Sequence, residues 1–107
     1  CGVKSHEILV KTVREDVADI ETRYVFDKDD VLDVVYQTMV YKDDEILKKD
    51  YDQIAALPAL FGDLKLEGQT VTYYLTKDAI DNFYPDFDYE ATINYLKENE
   101  IEYTEVN

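Results

Sequence analysis

The sequence predicts an α+β domain: an antiparallel sheet of about five strands, opened by a three-stranded meander, with two to three helices packed on one face. Three observations predict it. Apolar and polar residues alternate through much of the first forty positions, the period of strands with one buried face. From Asp43 onward the spacing lengthens to that of a helix. Only three glycines and two prolines interrupt the 107 residues, so regular structure fills the chain.

Glu7–Val13 is β-branched and apolar. Ala18–Phe26 alternates, with Ile20, Thr22, Tyr24 and Phe26 on one side and Glu21, Arg23 and Val25 on the other. Val31–Tyr41 alternates again and gathers Leu32, Val34, Tyr36, Thr38 and Val40 on one face. The breaks at Arg14-Glu15-Asp16 and Asp27-Lys28-Asp29-Asp30 are short and polar, as hairpin loops are. From Asp43 or Asp44 to about Leu57, the residues Leu47, Tyr51, Ile54 and Ala55 fall at helical spacing, and carboxylates at the start favour a helix N-terminus. Pro58 limits that helix, and Leu57–Gly62 reads as a buried crossing segment. Leu64–Leu66 and Gln69–Thr76 flank a turn at Glu67-Gly68, with Val71, Tyr73 and Leu75 inward. A short helix runs from Thr76 to about Phe83 and stops before Pro85. Asp88 caps a last helix over Tyr89–Glu98 that turns Ile93 and Leu96 inward. Ile101–Val106 closes the chain as a strand.

Charge excludes some functions. Eleven Lys and Arg stand against 25 Asp and Glu, a formal net charge of −14. Nucleic-acid binding needs cations to displace phosphate counterions, so it is not expected. No apolar run approaches the ~20 residues of a membrane-spanning helix. Ten Tyr and four Phe supply too much core material for a disordered acidic chain.

Cys1 is the one cysteine, so no internal disulfide forms. Cys1-Gly2 is what remains when a bacterial lipoprotein precursor is cut before its lipid-bearing cysteine; the competing reading is an ordinary internal residue. Two or three acyl chains there anchor stably where one does not. The expectation is residues 1–6 as a lipid-anchored tether, residues 7–107 as a single domain, and an extracytoplasmic, cell-membrane-anchored location. Residues 1–14 carry a local balance of +2 and residues 86–107 one of −6, so the acidic end is expected to point away from an anionic bilayer.

Catalytic residue types are scarce. Ser5 and His6 are the only serine and histidine, adjacent and in the expected tether, so no nucleophilic triad is expected, nor any catalytic residue or cofactor. A zinc site lacks a second His or Cys. Asp27, Asp29 and Asp30, and Asp86, Asp88 and Glu90, are weak calcium candidates. The second group fails the EF-hand pattern, with Ala91 where glycine is required and Lys97 where a bidentate Glu is required. Both groups read better as a turn and a helix cap. Tyrosines combine an apolar body with a polar tip and suit both sheets and interfaces. Tyr73 and Tyr74 are adjacent in a strand and point to opposite faces. Tyr41, Tyr74 and Tyr84 form the candidate binding patch if they share an outer surface.

Cys1-Gly2, the strand–turn–strand Arg23–Leu32, the long strand and acidic helix after it, Gly68–Thr76 with its Thr-Tyr-Tyr centre, and the closing helix and strand through Asn107 together resemble the YehR-like bacterial lipoproteins. Most of the chain is covered, with a shorter tether. The resemblance implies a small lipid-anchored α+β domain outside the cytoplasmic membrane, and implies no catalytic residues. The expected function is a lipid-anchored binding or interaction module, with a protein or small molecule as partner. A structural or accessory envelope protein is the alternative, and a carboxylate enzyme or calcium-binding domain ranks lower.

Overall fold

A computed structural model describes residues 6–106. The chain runs β1 (Glu7–Arg14), β2 (Ala18–Phe26), β3 (Leu32–Tyr41), α1 (Asp44–Ala55), β4 (Phe61–Glu67), β5 (Thr70–Leu75), α2 (Lys77–Phe83), α3 (Tyr89–Glu98) and β6 (Thr104–Val106). Six strands form one antiparallel sheet in the order β4-β5-β3-β2-β1-β6. The expected meander is β1-β2-β3, and the fold class is the α+β one predicted, with three helices. The sixth strand is β6, three residues long, paired to β1 through Glu7↔Val106 and Leu9↔Thr104.

Local chemistry sets the element ends. Asp43, Thr76 and Asp88 each precede a helix and accept hydrogen bonds from its first free amides, with Asp88 Oδ1 2.7 Å from Ala91 N. Gly68 adopts φ 60° in the tight turn between β4 and β5, where a Cβ is disfavoured. Leu57 to Ala59, expected to be buried, form an exposed turn instead. Its anchor is Thr76, whose Oγ1 donates to Ala59 O at 2.6 Å. Burial of the segment begins only at Leu60 and Phe61, which pack on the core.

All helices pack on one face of the sheet, and the core lies beneath them. Ile8, Phe26, Leu32, Val35, Tyr41, Val71 and Leu96 are the largest apolar side chains buried there. Register carries this face across the strands: Ile8 opposes Tyr24, Tyr24 opposes Val35, and Val35 opposes Leu75. Strand β3 has one extra residue, because Phe26 pairs with Leu32 while Val25 pairs with Val34. Asp33 is the residue accommodated by this bulge, and it reverses the parity of β3. Leu32 therefore points into the core, whereas Val34, Tyr36, Thr38 and Val40 do not share its face. The inward residues after the bulge are Val35, Gln37, Met39 and Tyr41. The expectation that Leu32 shares a face with the later even-numbered residues is corrected on this point.

The two ends of the described chain lie together. Strand β6 lies antiparallel beside the start of β1, and His6 Nδ1 sits 2.8 Å from Asp30 Oδ1 with its ring 4.9 Å from that of Tyr89. The acidic C-terminal segment and the first described residues thus share one end of the domain. His6, assigned to the tether by sequence, is held to the domain by these contacts and by Phe26 N, which donates to its carbonyl at 3.0 Å.

Interior tyrosine hydroxyls are engaged. Tyr41 donates to Asp50 Oδ2 at 2.7 Å, and Arg14 donates to the same oxygen at 2.7 Å, tying the first hairpin to α1. Tyr73 donates to Gln37 Oε1, and Gln37 Nε2 donates to Thr22 Oγ1 at 3.1 Å. Burial, with a smaller push from neighbouring Tyr84 and Asp50, raises the Tyr73 phenol to about 12. Burial likewise raises Tyr24, Tyr41 and Tyr84 above the ordinary tyrosine value. Raised phenol values mean that the folded state holds protons the unfolded chain releases. Their stabilisation is complete below about pH 10, the unfolded tyrosine value, and is lost as pH rises through the folded values. An alkaline titration followed at 295 nm and by far-UV circular dichroism is expected to show the last phenolates, those of Tyr24, Tyr41, Tyr73 and Tyr84, forming together with loss of structure as pH climbs past about 12. Full ionisation with the circular dichroism unchanged would contradict the buried placement of these rings.

Candidate functional site

The helices leave the opposite face of the sheet bare, and its composition departs from the rest of the molecule. Register defines transverse rows of side chains on it. One row crosses all six strands as Gly62, Tyr74, Tyr36, Arg23, Leu9 and Thr104. The next runs Lys65, Thr72, Thr38, Glu21 and Lys11, and the third Glu67, Thr70, Val40, Asp19 and Val13. Where the rows cross the adjacent strands β3 and β5, every outward side chain is uncharged. The charges in these rows lie on β4, β2 and β1, three cations (Lys65, Arg23, Lys11) against three anions (Glu67, Glu21, Asp19), so the rows add nothing to the formal −14. An aromatic and hydroxyl-bearing strip bounded on both sides by charged strands has the composition of a recognition surface.

Tyr36 and Tyr74 form the centre. They face each other across β3 and β5 with ring centroids 6.3 Å apart at 63°, a tilted edge contact. The Arg23 guanidinium lies 5.0 Å from the centre of the Tyr36 ring, a cation–π distance, and its Nε is 3.7 Å from Glu7 Oε1. The Tyr74 ring lies across Gly62. A Cβ built at that position would overlap the ring, so glycine is present here for space. Beside it, a bulge in β4 puts Asp63 at φ 50° and turns it toward the tyrosine pair.

Three depressions open on this side. Arg23, Tyr36, Thr38, Asp63, Thr72 and Tyr74 border one of about 170 Å³. A second, of about 420 Å³, is bordered by Lys11, Val13, Asp19, Glu21 and Val40, and shares Thr38 with the first. A third, of about 560 Å³, lies at the β1 edge between Leu9, Lys11 and the segment Ile101–Thr104. None is an enclosed cavity.

The patch expected from sequence does not assemble. Tyr41 is buried at 1% exposure on the helical side, bonded to Asp50. Tyr84 is half-buried between Tyr24 and Phe87, also under the helices, at ring distances of 5.8 and 5.2 Å. Only Tyr74 reaches the open face, opposite in direction to Tyr73 as the alternation requires. Sequence reasoning missed Tyr36, Arg23, Thr38, Thr72 and Gly62. The signal available was the absence of charge at alternate positions of two strands in a chain that is 34% charged.

The weak calcium candidates meet a different fate. The two acidic loops touch, since Val31 bridges Asp88 and Tyr89 N donates to Asp30 O at 2.8 Å. Their carboxylates serve local donors: Asp27 Oδ1 accepts from Asp29 N and Val31 N, Asp30 faces His6, and Asp88 caps α3. Among the described residues, no three His, Cys, Asp or Glu side chains are grouped to hold a metal ion. Cys1 and Ser5 lie outside the described residues.

Comparison with protein families, with curated proteins and with solved structures finds no match to this chain.

Gly62→Ala is expected to push the Tyr74 ring off its seat. Since that ring is exposed and alanine suits a strand better than glycine, stability should change by less than about 1 kcal/mol. Aromatic NMR is expected to lose the Tyr36–Tyr74 ring contact while the melting temperature holds. Persistence of that contact in the variant would contradict the packing described.

Proposed function

We propose that this chain is a binding module carried at the outer side of a membrane by lipid on Cys1, and that the open sheet face is its binding surface. One observation carries the reading: the adjacent strands β3 and β5 present seven uncharged outward residues, Val34, Tyr36, Thr38, Val40, Thr70, Thr72 and Tyr74, on an otherwise strongly acidic domain. Val13, Tyr36, Val40 and Tyr74 are each at least 36% exposed on that side, with Val106 at its edge. Exposing such side chains together costs solvation free energy that folding alone does not recover, whereas a partner would bury them. The resemblance to YehR-like lipoproteins and the Cys1-Gly2 pair support the anchor. No helix among the described residues is long and apolar enough to cross a membrane.

A photo-activatable residue placed at Thr38 is expected to form adducts in intact host cells, and one at Lys49 on α1 is expected to form none. Adding Tyr74→Ala should abolish the Thr38 adducts without altering the melting temperature. Equal adducts at both positions, or none at Thr38, would remove the face from consideration. Mass spectrometry of the same protein tests the anchor: an acylated Cys1 is expected, and an unmodified Cys1 would defeat it.

A further inference from the structure

We propose that the open face binds a neutral glycan, with one pyranose ring seated against the free side of the Tyr74 ring, in the depression that Tyr36, Arg23 and Asp63 border, and the chain continuing across β3 toward β1. The proposal rests on the reading of that face as the binding surface and adds the class of ligand.

The first argument is the row of hydroxyl groups on the open face. On the open face, Tyr36, Thr38, Thr70, Thr72 and Tyr74 stand side by side, and among the described residues none of their hydroxyls has a hydrogen-bond partner. Each offers one donor and two acceptor positions. An array of this kind matches a ligand that is itself dense in hydroxyls.

Size and shape come next. The depression beside the tyrosines, about 170 Å³, accommodates one six-membered ring. Gly62 supports the Tyr74 ring from below, so the other side of that ring offers an aromatic face to the C–H groups of a sugar. At the rims, Arg23 turns its Nε to Glu7 and Asp63 its Oδ2 to Lys65 Nζ at 3.5 Å, which leaves terminal guanidinium N–H donors and Asp63 Oδ1 as an acceptor for hydroxyls. Thr38 borders both this depression and the larger one toward β1, making a track across the strands. Neighbouring strands lie about 4.8 Å apart, close to the rise of one sugar unit in an extended chain.

Charge and backbone exclude the competitors. An anionic polymer is repelled by a net −14, and a cationic one meets denser acid on the helical side and the loops. An extended peptide would draw its affinity from unpaired strand edges. On β3 and β5 the main-chain groups are already spent on neighbouring strands, leaving side chains alone to bind.

The test is NMR titration of the ¹⁵N-labelled protein with cellotetraose and with the N-acetylglucosamine tetramer. Saturable shifts confined to Tyr36, Thr38, Thr72 and Tyr74 are expected with at least one probe. Tyr74→Ala and the shape-conserving pair Thr38→Val/Thr72→Val should each weaken binding tenfold or more, whereas Tyr95→Ala on α3 should change it less than twofold. Silence from both sugars at about 10 mM, or shifts on the helical side, would overturn the proposal. A parallel selection with random displayed peptides separates the two levels of inference. Peptides that bind wild type and not Tyr74→Ala, with the sugars silent, overturn the glycan and leave the binding surface standing. Failure of both overturns both.

Discussion

The extra residue in β3 governs the layout of this domain. A strand places successive side chains on opposite faces, so one inserted residue exchanges the two faces for everything that follows. Asp33 is that residue, and its effect runs through the longest strand of the sheet to Tyr41. Without it, Val35, Met39 and Tyr41 would face solvent, and Tyr36, Thr38 and Val40 would lie against the helices. Because β2 and β5 pair with β3 on either side, their buried faces are matched to the same parity.

Two unlike surfaces follow. On the helical side, apolar packing is combined with a polar seam in which Thr22, Gln37 and Tyr73 satisfy one another, and Asp50 serves both Tyr41 and Arg14. Burying a hydroxyl without a partner costs roughly 1–3 kcal/mol, and this seam avoids that cost. No buried side-chain polar atom among the described residues lacks a partner. The open side has no such closure. Strand geometry and Gly62 place its hydroxyls and its aromatic pair, and Arg23 is held over Tyr36 and beside Glu7. Rigid placement on paired strands is what a recognition surface requires if binding is not to spend its free energy on ordering side chains.

Much of the architecture was legible in the residues. The alternation in Ala18–Phe26 places Ile20, Thr22, Tyr24 and Phe26 on the buried side, as found. The Asp88 cap, the turn at Gly68 and the opposed directions of Tyr73 and Tyr74 follow from local chemistry alone. The parity of β3 was not legible, because Leu32 through Val40 alternates without interruption and nothing in the letters marks Asp33 as a bulge. That ambiguity places Tyr41 on the surface and Tyr36 in the interior when β3 is read from alternation alone, the reverse of the parity the bulge sets. The pairing of β6 with β1 was equally hidden, since it joins the two ends of the sequence and rests on only three residues. Composition flagged the tyrosines as unusual, but only long-range register sorts them into those that fill the core and those that face outward.

Selective nitration of tyrosine, read by peptide mass spectrometry on the folded protein, tests this sorting most directly. Tyr36 and Tyr74 should be modified early, while Tyr24, Tyr41 and Tyr73 stay unmodified until the protein unfolds. Early modification of Tyr41 with protection of Tyr36 would show the opposite parity in β3, and the open face as described would not exist.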